Sequence, residues 1–147
     1  MHTFAKHIST FLRVALLLLC AAQVRAQNLV PNPGFEAYTA CPAFLADIGK
    51  CVAWGSSNYQ GSTDYFNACN VYVPGVTQNV GVPGNFMANL PAYEGNGYAG
   101  IWLNSNTSSN YREYLQNTLT VPMLPGMRYR ISFQAAFTQP KIGRAHV

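Results

Sequence analysis

The amino-acid sequence predicts an all-β domain of short strands, arranged as a sandwich or jelly roll. Three observations carry that expectation. Leu115 to Phe137 alternates residue by residue on either side of a Pro-Gly pair, the other apolar segments are short and broken by glycine and proline, and no stretch sustains a 3.6-residue period.

In the alternating stretch, Leu115, Asn117, Leu119 and Val121 share one face, with Gln116, Thr118 and Thr120 on the other. Beyond the turn, Tyr129, Ile131, Phe133 and Ala135 alternate with Arg128, Arg130, Ser132 and Gln134. Such a period of two, rich in β-branched and aromatic residues, marks half-buried strands. Pro125 fixes φ and Gly126 accepts positive φ, so a hairpin is expected here, with the rest of the chain packed against it.

Both ends are read as extraneous to the domain. Met1 to Ala26 places Lys6 and Arg13 ahead of an apolar run from Val14 to Ala22, then exits through Val24-Arg25-Ala26. That is the layout of a secretory signal peptide cleaved before Gln27, and the run is too short to span a bilayer. Cys20 opens a lipoprotein alternative, although Leu19 stands where a small residue is usual. Ile142 to Val147 reads as the translation of a sequencing-library adapter, ATC GGA AGA GCA CAC GTC. On that reading residues 141–147 are a scar, the natural frame continues past residue 140, and 27–140 is a β-sandwich domain truncated on its carboxy-terminal side. The alternative is a short natural basic tail.

Charge follows from this division. The formal +4 of the whole chain includes Lys6, Arg13, Arg25, Lys141 and Arg144, and falls to −1 without them. The body therefore has no basic patch, which excludes nucleic acid as a partner. All three histidines, His2, His7 and His146, also lie outside 27–140. That stretch cannot supply a Ser-His-Asp or Cys-His set or a His-based zinc site, and no catalysis is expected from it. Its cysteines are Cys41, Cys51 and Cys69. Export implies an oxidising compartment, so a Cys41–Cys69 disulfide is expected, with Cys51 free or paired beyond residue 140.

In chain order, Leu29-Val30 is expected as a short first strand, stopped by Pro31 and Pro33, with Gly34 allowing a bend and Phe35 anchoring in the core. A loop leads to a short strand ending at Trp54. Gly61 to Cys69 reads as compact and turn-rich, and Val71 to Asn89 as loop. Gly95 to Leu103 is a turn into a strand, in which Gly97 and Gly100 signal close backbone approach. Asn104 to Asn110 is a polar loop.

Asn28-Leu29-Val30-Pro31-Asn32-Pro33-Gly34-Phe35-Glu36, taken with Leu124-Pro125-Gly126-Met127-Arg128-Tyr129-Arg130-Ile131-Ser132-Phe133, resembles the galactose-binding-like jelly rolls of carbohydrate-binding modules. The middle of the chain adds Cys41-Pro42, Trp54, Gly61-Ser62-Thr63-Asp64-Tyr65-Phe66-Asn67-Ala68-Cys69, Val82-Pro83-Gly84-Asn85-Phe86, Tyr98-Ala99-Gly100-Ile101 and Tyr111-Arg112-Glu113-Tyr114-Leu115. Together these are similar to amino-terminal domains of exported Bacteroidota proteins, found ahead of OmpA-like or type IX sorting domains. The resemblance implies an exported, non-catalytic cell-surface module that binds glycan or cell-envelope material. Two alternatives are a purely structural domain ahead of an OmpA-like or sorting domain, and an accessory module of a secreted hydrolase. In the resembling modules a structural calcium sits beside the first strand, which makes Glu36 the candidate metal ligand.

For a sugar ligand, aromatic faces flanked by polar side chains are the signal. Tyr59, Asp64, Tyr65 and Trp102 form the candidate set, near Asn58, Asn67 and Asn104. Core filling is the competing reading, favoured for Trp54 and Trp102, while Tyr59 and Tyr65 are expected to be exposed. Arg112 is expected to pair with an acid across strands, such as Glu36.

Overall fold

The computed structural model describes residues 27–57, 62–71, 74–75, 78–105 and 108–137. Tyr59, Asn58, the signal segment and the adapter-like tail lie outside the described residues. In chain order the elements are a 3-10 turn at Asp47–Lys50, then β1 (Trp54–Gly55), β2 (Asp64–Asn67), β3 (Gly97–Gly100) and β4 (Gln116–Asn117). β2 and β3 pair antiparallel from Asp64↔Gly100 to Asn67↔Gly97. β1 and β4 pair antiparallel with Trp54 opposite Asn117 and Gly55 opposite Gln116. The described architecture is thus all-β, two small antiparallel sheets with one turn of 3-10 helix.

β2 is the buried centre. All four of its residues are inaccessible, so the segment shows no polar–apolar alternation, and this is why Asp64 to Asn67 reads as turn rather than strand in the sequence. Successive side chains leave opposite faces of the strand. On one face Tyr65 packs with Ile48 and Cys51, against Phe35, Trp54, Ala99 and Leu115. The Phe35 and Trp54 rings stack with centroids 4.6 Å apart. Phe66, on the other face, lies 5.4 Å from the ring of Tyr98. A Cβ on Gly100 would approach Phe66 and Met87 to 2.6 and 2.8 Å, so the close approach expected at that glycine is present.

Loops are stitched to this centre by asparagines and by the disulfide. Cys41 and Cys69 are joined, Cα atoms 5.9 Å apart, fastening the 41–47 segment to the end of β2. Closing a loop of 28 residues stabilises by about 3.5 kcal/mol on the chain-entropy estimate. Asn70 Nδ2 adds a bond to the carbonyl of Pro42, 2.8 Å. Within the segment, Asp47 Oδ2 accepts from the N–H groups of Ala43 and Phe44 and from Lys50 Nζ. Burial pushes the Asp47 carboxyl up, but Lys50 and the two N–H groups outweigh it and hold the group below its ordinary value. Asn85 closes the 81–90 loop, receiving the N–H groups of Met87 and Ala88 and donating to the Tyr98 hydroxyl. Cys51 is a buried free thiol. Burial pushes its pKa up to about 11, against a partial offset from the Asn32 amide that donates to its sulfur.

The hairpin expected over 115–137 does not form. Gln116 and Asn117 are its sole strand residues and pair with β1 instead. The Pro125-Gly126 turn exists, with Gly126 at φ 76° and Met127 N–H bonded to Leu124 O at 3.3 Å. The segment after it makes no ladder, and Ile131 and Phe133 are 81% and 83% exposed. Alternation gives a strand only where its apolar face finds a surface, and an isolated two-stranded ribbon is marginal in water. Leu29-Val30 likewise forms no strand; Leu29 O accepts the Thr120 N–H at 2.9 Å and the Thr120 hydroxyl at 3.2 Å, backed by Asn117 Nδ2 on Pro31 O. The strand expected to end at Trp54 begins there.

Candidate functional site

The opening motif builds one wall of a cleft. Asn32, at φ 48°, donates through Nδ2 to the carbonyls of Ala37 and Val52 and accepts the Ala37 N–H on Oδ1, each at 2.9 Å. Its own carbonyl accepts the Trp54 indole N–H at 2.8 Å. This fixes the 32–37 bend and sends Glu36 across to the start of β3. There Glu36 Oε1 accepts the N–H groups of Asn96 and Gly97, at 2.7 and 3.1 Å, while Oε2 accepts Asn96 Nδ2 at 3.0 Å. Glycine is required below the carboxylate. Gly95 has φ 70°, and a Cβ there would run into Glu36; a Cβ on Gly97 would sit 2.8 Å from the carbonyl of Phe35.

Glu36, Tyr38, Asn67, Ala68, Cys69 and Asn96 line a cleft of about 330 Å³ beside the disulfide. Its walls are tied by hydrogen bonds. Asn67 Nδ2 donates to the Tyr65 hydroxyl and Asn67 Oδ1 accepts the Cys69 N–H, while Ala68 N–H bonds to Asn96 O. Tyr38 is 42% exposed and supplies an accessible ring. Among the described residues the lining holds one carboxylate, one phenol and two amides, and no lysine or arginine. At the lower end of small-molecule pocket sizes, about 300–1,000 Å³, such a cleft accommodates one ring rather than a chain.

The second polar centre is at the opposite end of the β2–β3 ribbon. Glu113, 3% exposed, acts as a side-chain rung where the two strands diverge. Its Oε1 accepts from Ser62 N–H, Ser62 Oγ and Tyr111 OH, at 3.2, 2.8 and 2.6 Å. Oε2 accepts the Trp102 N–H at 2.8 Å, and the Glu113 N–H returns a bond to Trp102 O. Asp64 is also buried and accepts the Ala46 N–H at 2.7 Å. Burial pushes its pKa up to about 6, the charge of Glu113 adds to the rise, and the Ala46 N–H opposes it.

The pH consequence has a definite sign. Between about pH 4 and pH 6 the folded chain holds the Asp64 proton more tightly than the unfolded chain does, so stability falls as pH rises through that window and levels off above it. Asp64→Asn keeps an oxygen for Ala46 and carries no charge. The variant should gain on the order of 2 kcal/mol over the parent above pH 6 and lose that gain near pH 4. Urea melts at pH 4, 5, 6 and 7 test this, and parallel curves for parent and variant rule it out.

The expected binding residues separate accordingly. Tyr65, expected to be exposed, is fully buried; its hydroxyl donates to Phe35 O at 2.7 Å and accepts from Asn67, a polar tip satisfied inside the core. Asp64 is buried as well, at the Glu113 centre. Trp54 packs in the core, whereas Trp102, for which core filling was favoured, is 44% exposed just past β3 and presents a ring to solvent. Arg112 donates to Asn104 Oδ1 and Tyr111 O, and Glu36 is engaged by residues 96–97. Calcium calls for six to eight oxygen ligands. Glu36 meets three N–H donors instead, and among the described residues no group of three or more His, Cys, Asp or Glu comes together. The donor set around Glu36 suits a hydrogen-bonded clamp better than a metal cage. Among the described residues no helix is long and apolar enough to cross a membrane.

Sequence reasoning missed Tyr38 and Asn96 as cleft residues. The signal that could have found Asn96 is the Gly95-Asn96-Gly97 triplet, a turn that can present backbone N–H groups to a carboxylate. No protein-family model, no curated protein and no solved structure matches the chain.

Proposed function

We propose that the chain is the amino-terminal, non-catalytic module of an exported cell-surface protein, a galactose-binding-like jelly roll that binds glycan through the Glu36 cleft. The observation that carries this reading is the cleft lining. The exposed Asn96 amide, a carboxylate and an accessible tyrosine ring are groups that a hydroxyl-bearing ring uses for hydrogen bonding and stacking. The Cys41–Cys69 disulfide supports export, because such bonds persist in oxidising compartments. Trp102 adds a second exposed aromatic face at the far end of β3.

The test is a glycan array with Tyr38→Ala and Asn96→Ala. Each substitution should reduce the retained signal at least about tenfold, the loss of one stacking or hydrogen-bonding contact, with unchanged melting. Retention that neither substitution alters would remove the cleft from the proposal. A second reading is a purely structural domain ahead of an OmpA-like or sorting domain. It is favoured by the inward hydrogen bonding of both Glu36 and Glu113, and it predicts no glycan retention at all. A role beside a secreted hydrolase would use the same cleft.

A further inference from the structure

The charge of the cleft goes one step further than its shape. Resting on the glycan-binding reading, we infer that the Glu36 cleft selects an amino-bearing sugar, one with a free ammonium group, and rejects acidic sugars. Among the described residues, Glu36 is the charged residue of the lining, and neither lysine nor arginine lines the cleft with it. Lys50, on the neighbouring segment, is engaged by Asp47 at 2.6 Å. The field of Glu36 reaches the buried groups behind the cleft, contributing to the upward displacement of both the Cys51 thiol and the Tyr65 hydroxyl after burial.

Geometry places the receiving atom. Oε1 is occupied by two backbone N–H groups, whereas Oε2 receives the Asn96 amide among the described residues and retains acceptor capacity. An ammonium at Oε2 would make a charge-assisted bond of the stronger class. The exposed Asn96 amide and the Tyr38 phenol remain for hydroxyls and the ring face, while Asn67 is buried behind them and held by Tyr65 and Cys69. A uronate, sulfate or phosphate in the same position would meet the carboxylate with no cation among the described lining residues to offset it, an arrangement that discriminates by repulsion.

Glucosamine oligomers, the same oligomers after N-acetylation, and length-matched uronic-acid oligomers test this by calorimetry on the full chain. The free-amine form should bind about tenfold more tightly than its acetylated counterpart. The gap should narrow as salt is raised from low ionic strength. Uronates should give no heat. Glu36→Gln keeps an oxygen for the N–H groups of residues 96–97, and a turned Asn96 amide can accept from its new N–H. In that variant amine and acetylated forms should bind equally. The comparison of the two ligand forms on the parent chain stands even if the variant does not fold. Equal affinity for amine and acetylated oligomers, or binding of uronates, overturns the selectivity and leaves glycan binding intact. Absence of heat with all three overturns the glycan-binding reading and the selectivity together.

Discussion

Replacing Glu113 by alanine should cost at least about 4 kcal/mol of folding stability, the largest single effect expected in this chain. The side chain is 3% exposed and receives Ser62 N–H, Ser62 Oγ, Tyr111 OH and Trp102 N–H. The hydroxyls can turn to each other, since Ser62 Oγ and Tyr111 OH already lie 3.0 Å apart. The two backbone N–H groups cannot, and hydrogen bonds to a charged acceptor contribute about 1.5–3 kcal/mol each. To this is added the cavity left where the side chain stood, and the loss of the only link described between Ser62 and Trp102. A domain of this size has about 5–15 kcal/mol in all, so the loss is a quarter or more of the total and should show as a large fall in the denaturation midpoint. Glu113→Gln separates charge from hydrogen bonding. Its oxygen can serve Trp102 and its amide can donate to the two hydroxyls, leaving Ser62 N–H as the one mismatch. Its cost should be less than half that of alanine, and the Asp64 carboxyl should titrate at lower pH once the neighbouring charge is gone. Denaturant melts of both variants decide the matter. Equal losses for alanine and glutamine would mean that charge, and not the bonded rung, is what Glu113 contributes.

How much of this was legible in the sequence depends on whether the determining contact is local. The all-β class, the Cys41–Cys69 pairing and the close approach at Gly97 and Gly100 were, because residue type at those positions restricts what the backbone or sulfur can do. The strand at Asp64–Asn67 was not. Burial on both faces removes the alternation by which strands are recognised, and a polar Asp and Asn at its ends read as turn residues. Tyr65 shows the same ambiguity in one side chain: a phenol reads equally as a stacking platform or as a core ring whose hydroxyl has found Phe35 O, and only the partner decides. Glu113 carries no local signal that it is buried. Its burial follows from Ser62 and Trp102, 51 and 11 residues away, which no local pattern links. The opposite error occurred at 127–137, where strong alternation promised a strand. There the pattern states what the segment would bury, and the described residues offer its apolar face no surface.

Asn32→Ala should cost about 3 kcal/mol and carry the Glu36 cleft with it. The side chain holds Ala37 O, Val52 O and Ala37 N–H, all at 2.9 Å, so its removal unties the opening bend from the segment that leads into β1. Those bonds are partly accessible, and water recovers some of their value, leaving about 2 kcal/mol. The rest comes from the backbone. Asn32 sits at φ 48°, where alanine costs about 1–2 kcal/mol and asparagine less. Asn32→Gly removes the bonds without that strain and should therefore lie about 1 kcal/mol above the alanine variant. The bend also delivers Phe35, whose carbonyl receives Tyr65 OH and whose ring stacks on Trp54, so both variants should alter Trp54 fluorescence. Glu36 follows Phe35 directly, and loosening the bend withdraws its carboxylate from Asn96 and Gly97. On the proposed glycan-binding role, both variants should then bind more weakly than Tyr38→Ala does, even at temperatures where they remain folded. If alanine and glycine prove equally costly, the positive φ carries no strain and the bonds alone hold the bend. If stability falls while binding is untouched, Glu36 keeps its place without Asn32, and the opening motif is a matter of folding and not of the site.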